Sequence, residues 1–140
     1  MSQVERTFSI IKPDAVAAGQ AGAILAMLEE AGFKIAGLRM LKMTRQQAEG
    51  FYAVHRERPF FPSLVKFITE GPVIVMALER EDAVKKLREV MGATNPANAA
   101  EGTVRKRFAA SIERNCIHGS DAPETAAVEL GYFFSTVDLQ

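Results

Sequence analysis

The chain has 140 residues, of which 48% are hydrophobic, and its 17 basic side chains balance 17 acidic ones. This length suits a single domain over residues 1–140 with a core of its own. The charge balance excludes a bulk attraction to nucleic acid or to an anionic membrane, so we expect neither as a partner. The lone cysteine, Cys116, excludes an internal disulfide and indicates a reducing compartment, the cytoplasm.

The sequence gives no sign of a membrane segment or of a zinc centre. Its polar start carries no apolar signal core, and the longest apolar run, Val73–Leu78, is too short to span a bilayer. Two distant histidines and one cysteine also disfavour a structural zinc cluster.

The first half of the chain alternates strand and helix patterns. A strand over Arg6–Ile11 ends at Lys12-Pro13-Asp14, because proline cannot continue a ladder. Phe33–Met43 is predicted to return as a second strand. Between them lies a helix that ends at Gly32 and has one apolar face, formed by Ala21, Ile24, Leu25, Leu28 and Ala31. Thr44–Gln47 has the form of a capping box and opens the next helix, whose apolar face runs through Ala48, Phe51, Tyr52 and His55.

The second half continues the alternation after a rigid connection, Arg58–Pro62. Gly92–Gly102 is predicted to be a long loop, and such loops are often functional. Asp121 is predicted to cap the last helix, with Pro123 in its first turn. The other predicted elements are a helix over Ser63–Thr69, a buried strand over Val73–Leu78, a helix over Glu81–Met91, a short helix from Thr103, and a strand over Asn115–His118.

The order of these elements is β-α-β-α-(α)-β-α-β-α. Four strands with helices between them predict an α+β fold, a ferredoxin-like sandwich in which helices pack on a four-stranded antiparallel sheet. Periodicity alone does not give the order of the strands within the sheet.

His118 lies at the predicted junction of a strand and a turn, within the stretch NCIHGSD. A histidine at a strand end is usually structural. Here Gly119 allows a sharp turn and leaves space beside the ring, and Glu129 lies about two turns into the following helix. A carboxylate that holds one ring nitrogen leaves the other free to attack an electrophile. The spacing alone leaves the structural and the nucleophilic interpretations equally open.

Arginines flank the long loop. Arg88 lies at the edge of the apolar face of its helix, where it either covers the core with its stem or directs its guanidinium into a cleft. Arg105 follows the loop, and Thr94 and Asn95 lie within it. The run Arg105-Lys106-Arg107 indicates a solvated helix face rather than a nucleic-acid site. Lys12, at the end of the first strand, is by itself an ordinary surface charge.

Aromatic residues and the cysteine leave further alternatives. Tyr52 and Phe60 suit the core, yet Phe60 lies between two prolines, where its ring could stack on a flat ligand. Cys116 and His118 share a face of a regular strand, which allows a hydrolase with a cysteine nucleophile, although a cysteine in an apolar strand is usually inert. Neither a Walker nor a Rossmann glycine motif occurs, so side chains would have to grip any phosphate.

Taken together, these segments resemble the nucleoside diphosphate kinase family. The family signature N-x-x-H-G-S-D is intact at Asn115–Asp121, and the resemblance covers roughly Glu5–Phe134. The other matching segments are SIIKPDAV at Ser9–Val16, FYAVHRERPFF at Phe51–Phe61, GPVIVMALE at Gly71–Glu79, REVMGATNPANAAEGTVR at Arg88–Arg105, and ETAAVELGYFF at Glu124–Phe134.

The resemblance implies a phosphotransferase that works by a ping-pong route. His118 would accept the γ-phosphoryl group of a nucleoside triphosphate on its δ nitrogen and pass it to a nucleoside diphosphate. Glu129 would orient the ring, and Tyr52 and Ser120 would surround it. The alternative is a non-catalytic nucleotide-binding module on the same fold.

The resemblance also implies how nucleotide and metal bind. The positions that match phosphate-binding residues are Lys12, Arg88, Thr94 and Arg105. Asn115 and Lys12 would contact the ribose hydroxyls, and Phe60 would stack on the base, which tolerates any base because each has a π-face. Mg²⁺ would arrive with the nucleotide, held by phosphate oxygens and water rather than by protein ligands. The family also implies a homo-oligomer, a tetramer or hexamer. The chain departs from the family at Lys106 and Arg107, where a small residue and an acid are usual.

Overall fold

The computed structural model describes residues 4–139, and its centre is one antiparallel sheet of four strands. The order of the strands across the sheet is β2-β3-β1-β4. Their bounds are β1 Val4–Ile11, β2 Lys34–Leu41, β3 Val73–Glu81 and β4 Ile117–Gly119. β1 and β3 lie in the middle, and every neighbouring pair is antiparallel. The ferredoxin-like α+β prediction is confirmed.

Seven α-helices connect and cover the strands among the described residues. They are α1 Pro13–Ala17, α2 Ala21–Glu30, α3 Arg45–Phe51, α4 Phe61–Ile68, α5 Ala83–Met91, α6 Val104–Phe108 and α7 Pro123–Phe133. Short 3₁₀ turns occupy Ala53–His55, Pro96–Asn98 and Thr136–Asp138. Within residues 4–139, none of the helices combines the length and the apolar composition that a membrane crossing requires.

Both faces of the sheet are buried, because alternate residues of each central strand point to opposite sides. On one face, Phe8, Ile10 and Val75 pack with side chains of α3, α4 and α7. On the other face, Ile11 and Met76 pack with side chains of α2, α5 and α6. Burying each large apolar side chain contributes about 1.5–3 kcal/mol, so these two layers hold the framework on which the site is built.

Side chains complete two helix starts. Thr44 Oγ1 accepts a 3.1 Å hydrogen bond from the Gln47 backbone N–H, and Gln47 Oε1 accepts a 2.9 Å bond from Thr44 N–H. The predicted capping box is therefore confirmed. At α5, Glu5 in β1 provides the cap, because its Oε1 accepts a 2.8 Å hydrogen bond from Val84 N–H. This contact ties the helix that carries Arg88 to the central strand.

The structure corrects several of the predicted elements and caps. The helix predicted from Glu81 begins at Ala83, since β3 stays paired with β1 as far as Glu81 and the chain turns at Asp82, where φ is 52°. A short helix, α1, starts directly at Pro13, where only a break was predicted. The predicted cap Asp121 is wrong, because Ala122 is the N-cap of α7 and Asp121 bonds Arg88 instead.

Candidate active site

The pairing of β1 with β4 places the signature histidine beside the end of the first strand. Ile10 lies opposite His118, and Ile11 lies opposite Ile117. One residue further on, the Lys12 backbone N–H donates a 2.9 Å hydrogen bond to the Cys116 carbonyl. Residues more than 100 positions apart in the chain therefore share one end of the sheet.

A three-residue turn precedes β4 and shortens the predicted strand. Cys116 has a φ of 64°, and the Ile117 N–H donates a 2.8 Å bond to the Asn115 carbonyl. This i to i+2 pattern with a positive φ is that of a γ-turn, which is rare and strained for a residue with a side chain. Asn115 is buried beside Lys12, and its Oδ1 accepts a 2.7 Å bond from Lys12 Nζ.

Glu129 and Ser120 hold the imidazole of His118. Glu129 Oε1 lies 2.9 Å from His118 Nε2 and also accepts a 2.7 Å hydrogen bond from Ser120 Oγ. The His118 carbonyl accepts a 2.6 Å bond from Ser9 Oγ, which fixes the backbone as well. Within residues 4–139 no group hydrogen-bonds Nδ1. A neutral ring that donates from Nε2 has its lone pair on Nδ1, the nucleophilic position.

Two phenylalanines that the sequence did not connect with the site pack against His118. The Phe51 ring centroid lies 5.4 Å from that of His118 at an interplanar angle of 76°, and Phe8 lies at 6.0 Å and 63°. No signal in the sequence alone could have found this contact, because Phe8, Phe51 and His118 meet only through tertiary packing. The structure thus adds an apolar wall to the predicted polar partners.

The Lys12 ammonium and the Arg105 guanidinium are two buried cations that lie close together. Their residues are only 8% and 7% exposed. Burial, followed by the nearby Arg105 charge, lowers the pKa of Lys12 from 10.5 to about 8. Arg105 donates 3.1 Å and 2.8 Å hydrogen bonds to the Gly92 and Ile117 carbonyls, while its Nε is buried without a partner among the described residues. Such a concentration of positive charge suits an anionic ligand.

A cleft of about 380 Å³ joins the other predicted phosphate-binding residues to Arg105. Its lining includes Arg88, Thr94, Thr103 and Arg105. Arg88 has a side chain that is 53% exposed, and its guanidinium forms a 2.9 Å ion pair with Asp121. Lys106 and Arg107, which stand where the family usually has a small residue and an acid, are exposed, and Arg107 lies over the Phe108 ring at 4.9 Å. Arg105 has its two backbone partners without that acid.

Tyr52 and Phe60 differ in how deeply their side chains are buried. Tyr52 is buried, with its ring 5.0 Å from that of Phe51, and burial raises the pKa of its phenol well above the ordinary value. Phe60 is 48% exposed, and its ring packs 5.5 Å from the half-buried ring of His55. Tyr52 therefore supports the wall behind His118, whereas Phe60 presents an open ring face.

The surroundings of Cys116 argue against the cysteine hydrolase. Its side chain is fully buried, and burial raises the pKa of the thiol to about 12. The left-handed backbone at Cys116 also removes the regular strand that the hydrolase hypothesis required. A thiol that stays protonated at neutral pH is a poor nucleophile.

Gly119 also has a different role from the one predicted. A Cβ at this position would lie 2.8 Å from Met91 Sδ and 3.0 Å from Leu87 Cδ2. Glycine therefore favours the close approach of the α5 side chains to β4, rather than a sharp turn.

The side chains around the cleft also indicate how a metal ion could be coordinated. Residues 4–139 contain no group of three or more His, Cys, Asp or Glu side chains that could hold a metal ion. Two carboxylates lie in or near the cleft, and both are paired: Asp121 with Arg88 at 2.9 Å, and Glu89, which lines the cleft, with Lys86 at 3.4 Å. The remaining cationic and neutral donors fit phosphate oxygens, and they fit a divalent cation that is coordinated through those oxygens and water.

Comparisons with known proteins identify the family. A model of the family described as nucleoside diphosphate kinase matches residues 5–139. A nucleoside diphosphate kinase of Nitratidesulfovibrio vulgaris is 60% identical over 136 residues, which cover 97% of this chain and 98% of that protein. One from Desulfosudis oleivorans is 59% identical, with the same shares of both chains covered.

Solved structures agree with the sequence relatives. The nucleoside diphosphate kinase of Aquifex aeolicus has a TM-score of 0.96 and 43% identity, covering 99% of this chain and 100% of its own. A halophilic enzyme from Halobacterium salinarum, solved in complex with CDP, has a TM-score of 0.94 and 39% identity, covering 99% of this chain and 92% of its own. With nearly the whole chain matched in sequence and structure, the protein belongs to the nucleoside diphosphate kinase family.

Proposed function

We propose that this chain transfers the γ-phosphoryl group of a nucleoside triphosphate, typically ATP, to a nucleoside diphosphate through a phosphohistidine on His118, and so maintains nucleoside triphosphate pools. The observation that carries the proposal is the hydrogen bond between Glu129 Oε1 and His118 Nε2, which leaves Nδ1 without a hydrogen-bond partner among residues 4–139; His118 directly follows Ile117, whose carbonyl binds the Arg105 guanidinium. Membership of the family favours this catalytic function over a non-catalytic binding module.

In the first half-reaction, the Nδ1 lone pair attacks the γ-phosphorus. The N–P bond forms while the bond from the γ-phosphorus to the β,γ-bridging oxygen breaks, and the nucleoside diphosphate leaves with that electron pair. The Nε2 proton stays between His118 and Glu129, whose carboxylate stabilises the positive charge that develops on the ring. In the second half-reaction, a terminal oxygen of another diphosphate attacks the phosphohistidine and restores the neutral ring.

Charge neutralisation and positioning supply most of the catalysis in phosphoryl transfer. We assign this role to Lys12, Arg88 and Arg105, with Thr94 as a neutral donor. Mg²⁺ bound to phosphate oxygens would neutralise further charge on the nucleotide. Two further residues support His118 indirectly. Tyr52 packs on Phe51, and Ser120 donates a hydrogen bond to Glu129.

The nucleoside is assigned to the other polar and aromatic residues. Lys12 and Asn115, which are joined by a hydrogen bond, are assigned to contact the ribose hydroxyls. The exposed ring of Phe60 is assigned to stacking on the base. Because stacking contributes about 1–3 kcal/mol with any base, we expect broad base selectivity.

The experiment is incubation with γ-³²P-labelled ATP followed by addition of GDP. We expect label on the wild-type protein that is lost in mild acid and transferred to GDP, no label on His118→Ala, and normal labelling of Cys116→Ala. Absence of label on the wild type, or acid-stable label, would contradict the mechanism. Binding of nucleotide without exchange between ATP and GDP would leave only the binding module.

We also propose that the protein works as a homo-oligomer, a tetramer or hexamer, in the cytoplasm. Support comes from β2, which lies at the edge of the sheet with Leu38 46% and Met40 60% exposed. An edge strand of eight residues with apolar side chains favours association. Sedimentation equilibrium gives the mass of the particle, and a monomer at micromolar concentration would contradict the proposal.

A further inference from the structure

Phe51 contacts the phosphate acceptor without offering it any polar group. It is the last residue of α3, and its half-buried ring meets the His118 ring in a T-shaped arrangement at 5.4 Å. The Glu129 hydrogen bond restrains one atom of the imidazole, Nε2. A single hydrogen bond leaves the ring free to tilt about that contact, whereas aromatic neighbours restrain the plane of the ring, and of the two here Phe51 lies nearer than Phe8.

The helix that carries Phe51 is docked on the helix that carries Glu129. The Tyr132 hydroxyl, in α7, donates a 2.8 Å hydrogen bond to the Gln47 carbonyl, in α3. Gly50 leaves room for this contact, because a Cβ there would collide with the Tyr132 hydroxyl. The Phe51 and Tyr132 rings are 6.2 Å apart, so Phe51 and Glu129, two of the groups that contact the imidazole, belong to one interlocked pair of helices.

We propose that Phe51 is a positioning residue, which fixes the plane of the His118 imidazole so that Nδ1 is aligned with the γ-phosphorus. The inference rests on the proposed phosphotransfer. A displacement of about 1 Å in a reacting group can cost on the order of 10² in rate, so loss of the ring contact acts on the chemical step rather than on nucleotide binding.

The kinetic test compares matched substitutions in one core. Phe51→Leu removes the ring and keeps an apolar side chain, whereas Phe51→Tyr keeps the ring. Phe134→Leu is the control, because Phe134 lies in the same core but packs beside Gly37 of β2. We expect single-turnover labelling of Phe51→Leu by γ-³²P ATP to be about tenfold slower at saturation, with the KM for ATP unchanged. Phe51→Tyr and Phe134→Leu should remain within about twofold of the wild type. A Phe51→Leu rate equal to that of Phe134→Leu overturns the proposal.

A second measurement does not depend on catalysis. Crystal structures of the unphosphorylated wild type, Phe51→Leu and Phe134→Leu report the orientation of the His118 ring directly. We expect a single orientation in the wild type and in Phe134→Leu, and a tilted or divided ring in Phe51→Leu. An unchanged ring in Phe51→Leu overturns the positioning role whatever the labelling shows. If the wild type takes no label, the proposed function fails, and the ring orientations still decide the role of Phe51.

Discussion

Lys12 and Asn115 are joined by a buried 2.7 Å hydrogen bond between Nζ and Oδ1, although 103 positions separate them in the sequence. The amide oxygen can only accept, so the lysine stays a donor at this place whether or not it carries its full charge. The charge of Lys12 changes close to neutral pH, because burial and Arg105 lower its pKa to about 8. Two predictions follow from this pKa, and they have opposite directions.

Activity is expected to decline as pH rises through about 8, since deprotonation of Lys12 removes a positive charge from the proposed phosphate site. The measurement is kcat/KM for ATP from pH 6.5 to 9.5, which reports groups of the free enzyme. Lys12→Arg is the control, because a guanidinium stays charged over this range and should move the decline to higher pH. An identical alkaline decline in Lys12→Arg would assign it to another group.

Stability is expected to rise over part of the same range. The folded pKa of Lys12 lies below its ordinary value, so between about pH 8 and 10.5 the unfolded chain binds more protons. The free energy of unfolding then increases with pH, by at most about 1.4 kcal/mol per unit. Above pH 9 the raised pKa of Cys116 acts in the opposite direction, because the folded chain keeps the thiol proton.

The clean window for this second measurement is therefore about pH 8 to 9. Urea unfolding of the wild type and of Lys12→Gln at half-unit steps isolates the contribution of Lys12. We expect a difference in slope on the order of 1 kcal/mol across the window. Parallel pH dependence in the two proteins would show that the ammonium is not desolvated in the folded state.

Glu129 and Ser120 are expected to contribute unequally to catalysis. Glu129→Ala removes the group that holds His118 Nε2 and should lower kcat by on the order of 10², with little change in the KM for ATP. Ser120→Ala removes only one of the contacts to the same carboxylate oxygen and should lower kcat about tenfold or less. Single-turnover labelling of His118 checks both. A larger effect from Ser120→Ala would mean that the hydroxyl meets the phosphoryl group directly.

Substitution of Arg88 or Arg105 is expected to lower activity to a similar extent but to lower stability unequally. Arg88 is half exposed and its ion pair with Asp121 is at the surface, so Arg88→Ala should change the free energy of unfolding by under about 0.5 kcal/mol. Arg105 is buried and bridges two backbone carbonyls, so Arg105→Ala should cost about 2–4 kcal/mol.

Both variants are expected to lose on the order of 10² in kcat/KM, because each removes a cation from the proposed phosphate site. Steady-state kinetics and urea unfolding on the same preparations make the comparison. Equal stability losses in the two variants would contradict the different burial of the two side chains.

The framework could be predicted from the sequence because local signals agreed with the tertiary structure. α2 ends at Glu30 with Ala31 as its C-cap, so Gly32 is the C′ residue as predicted, and it adopts a φ of 92°. The capping box at Thr44 likewise depends only on residues three positions apart. Such short-range patterns are visible without any knowledge of the fold.

The wrong predictions concern residues whose contacts with distant parts of the chain override the local sequence pattern. Asp121 and Pro123 form a good helix start, but Arg88 captures the carboxylate of Asp121 from another element. Glu81 looks helical, but the β1 ladder holds it in a strand. For the site, the family signature pointed to His118, whereas the Phe51 wall and the bond from Lys12 to Asn115 needed the folded chain.

The turn at Cys116 has a consequence for how the active site tolerates change. Its carbonyl receives the Lys12 amide, and the next carbonyl, that of Ile117, receives the Arg105 guanidinium. Main-chain carbonyls thus hold the backbone of Lys12 and the guanidinium of Arg105, the Asn115 side chain holds the Lys12 ammonium, and the thiol bonds neither residue. The side chain at position 116 can therefore be exchanged for another small apolar group, provided that the peptide planes on either side keep their directions.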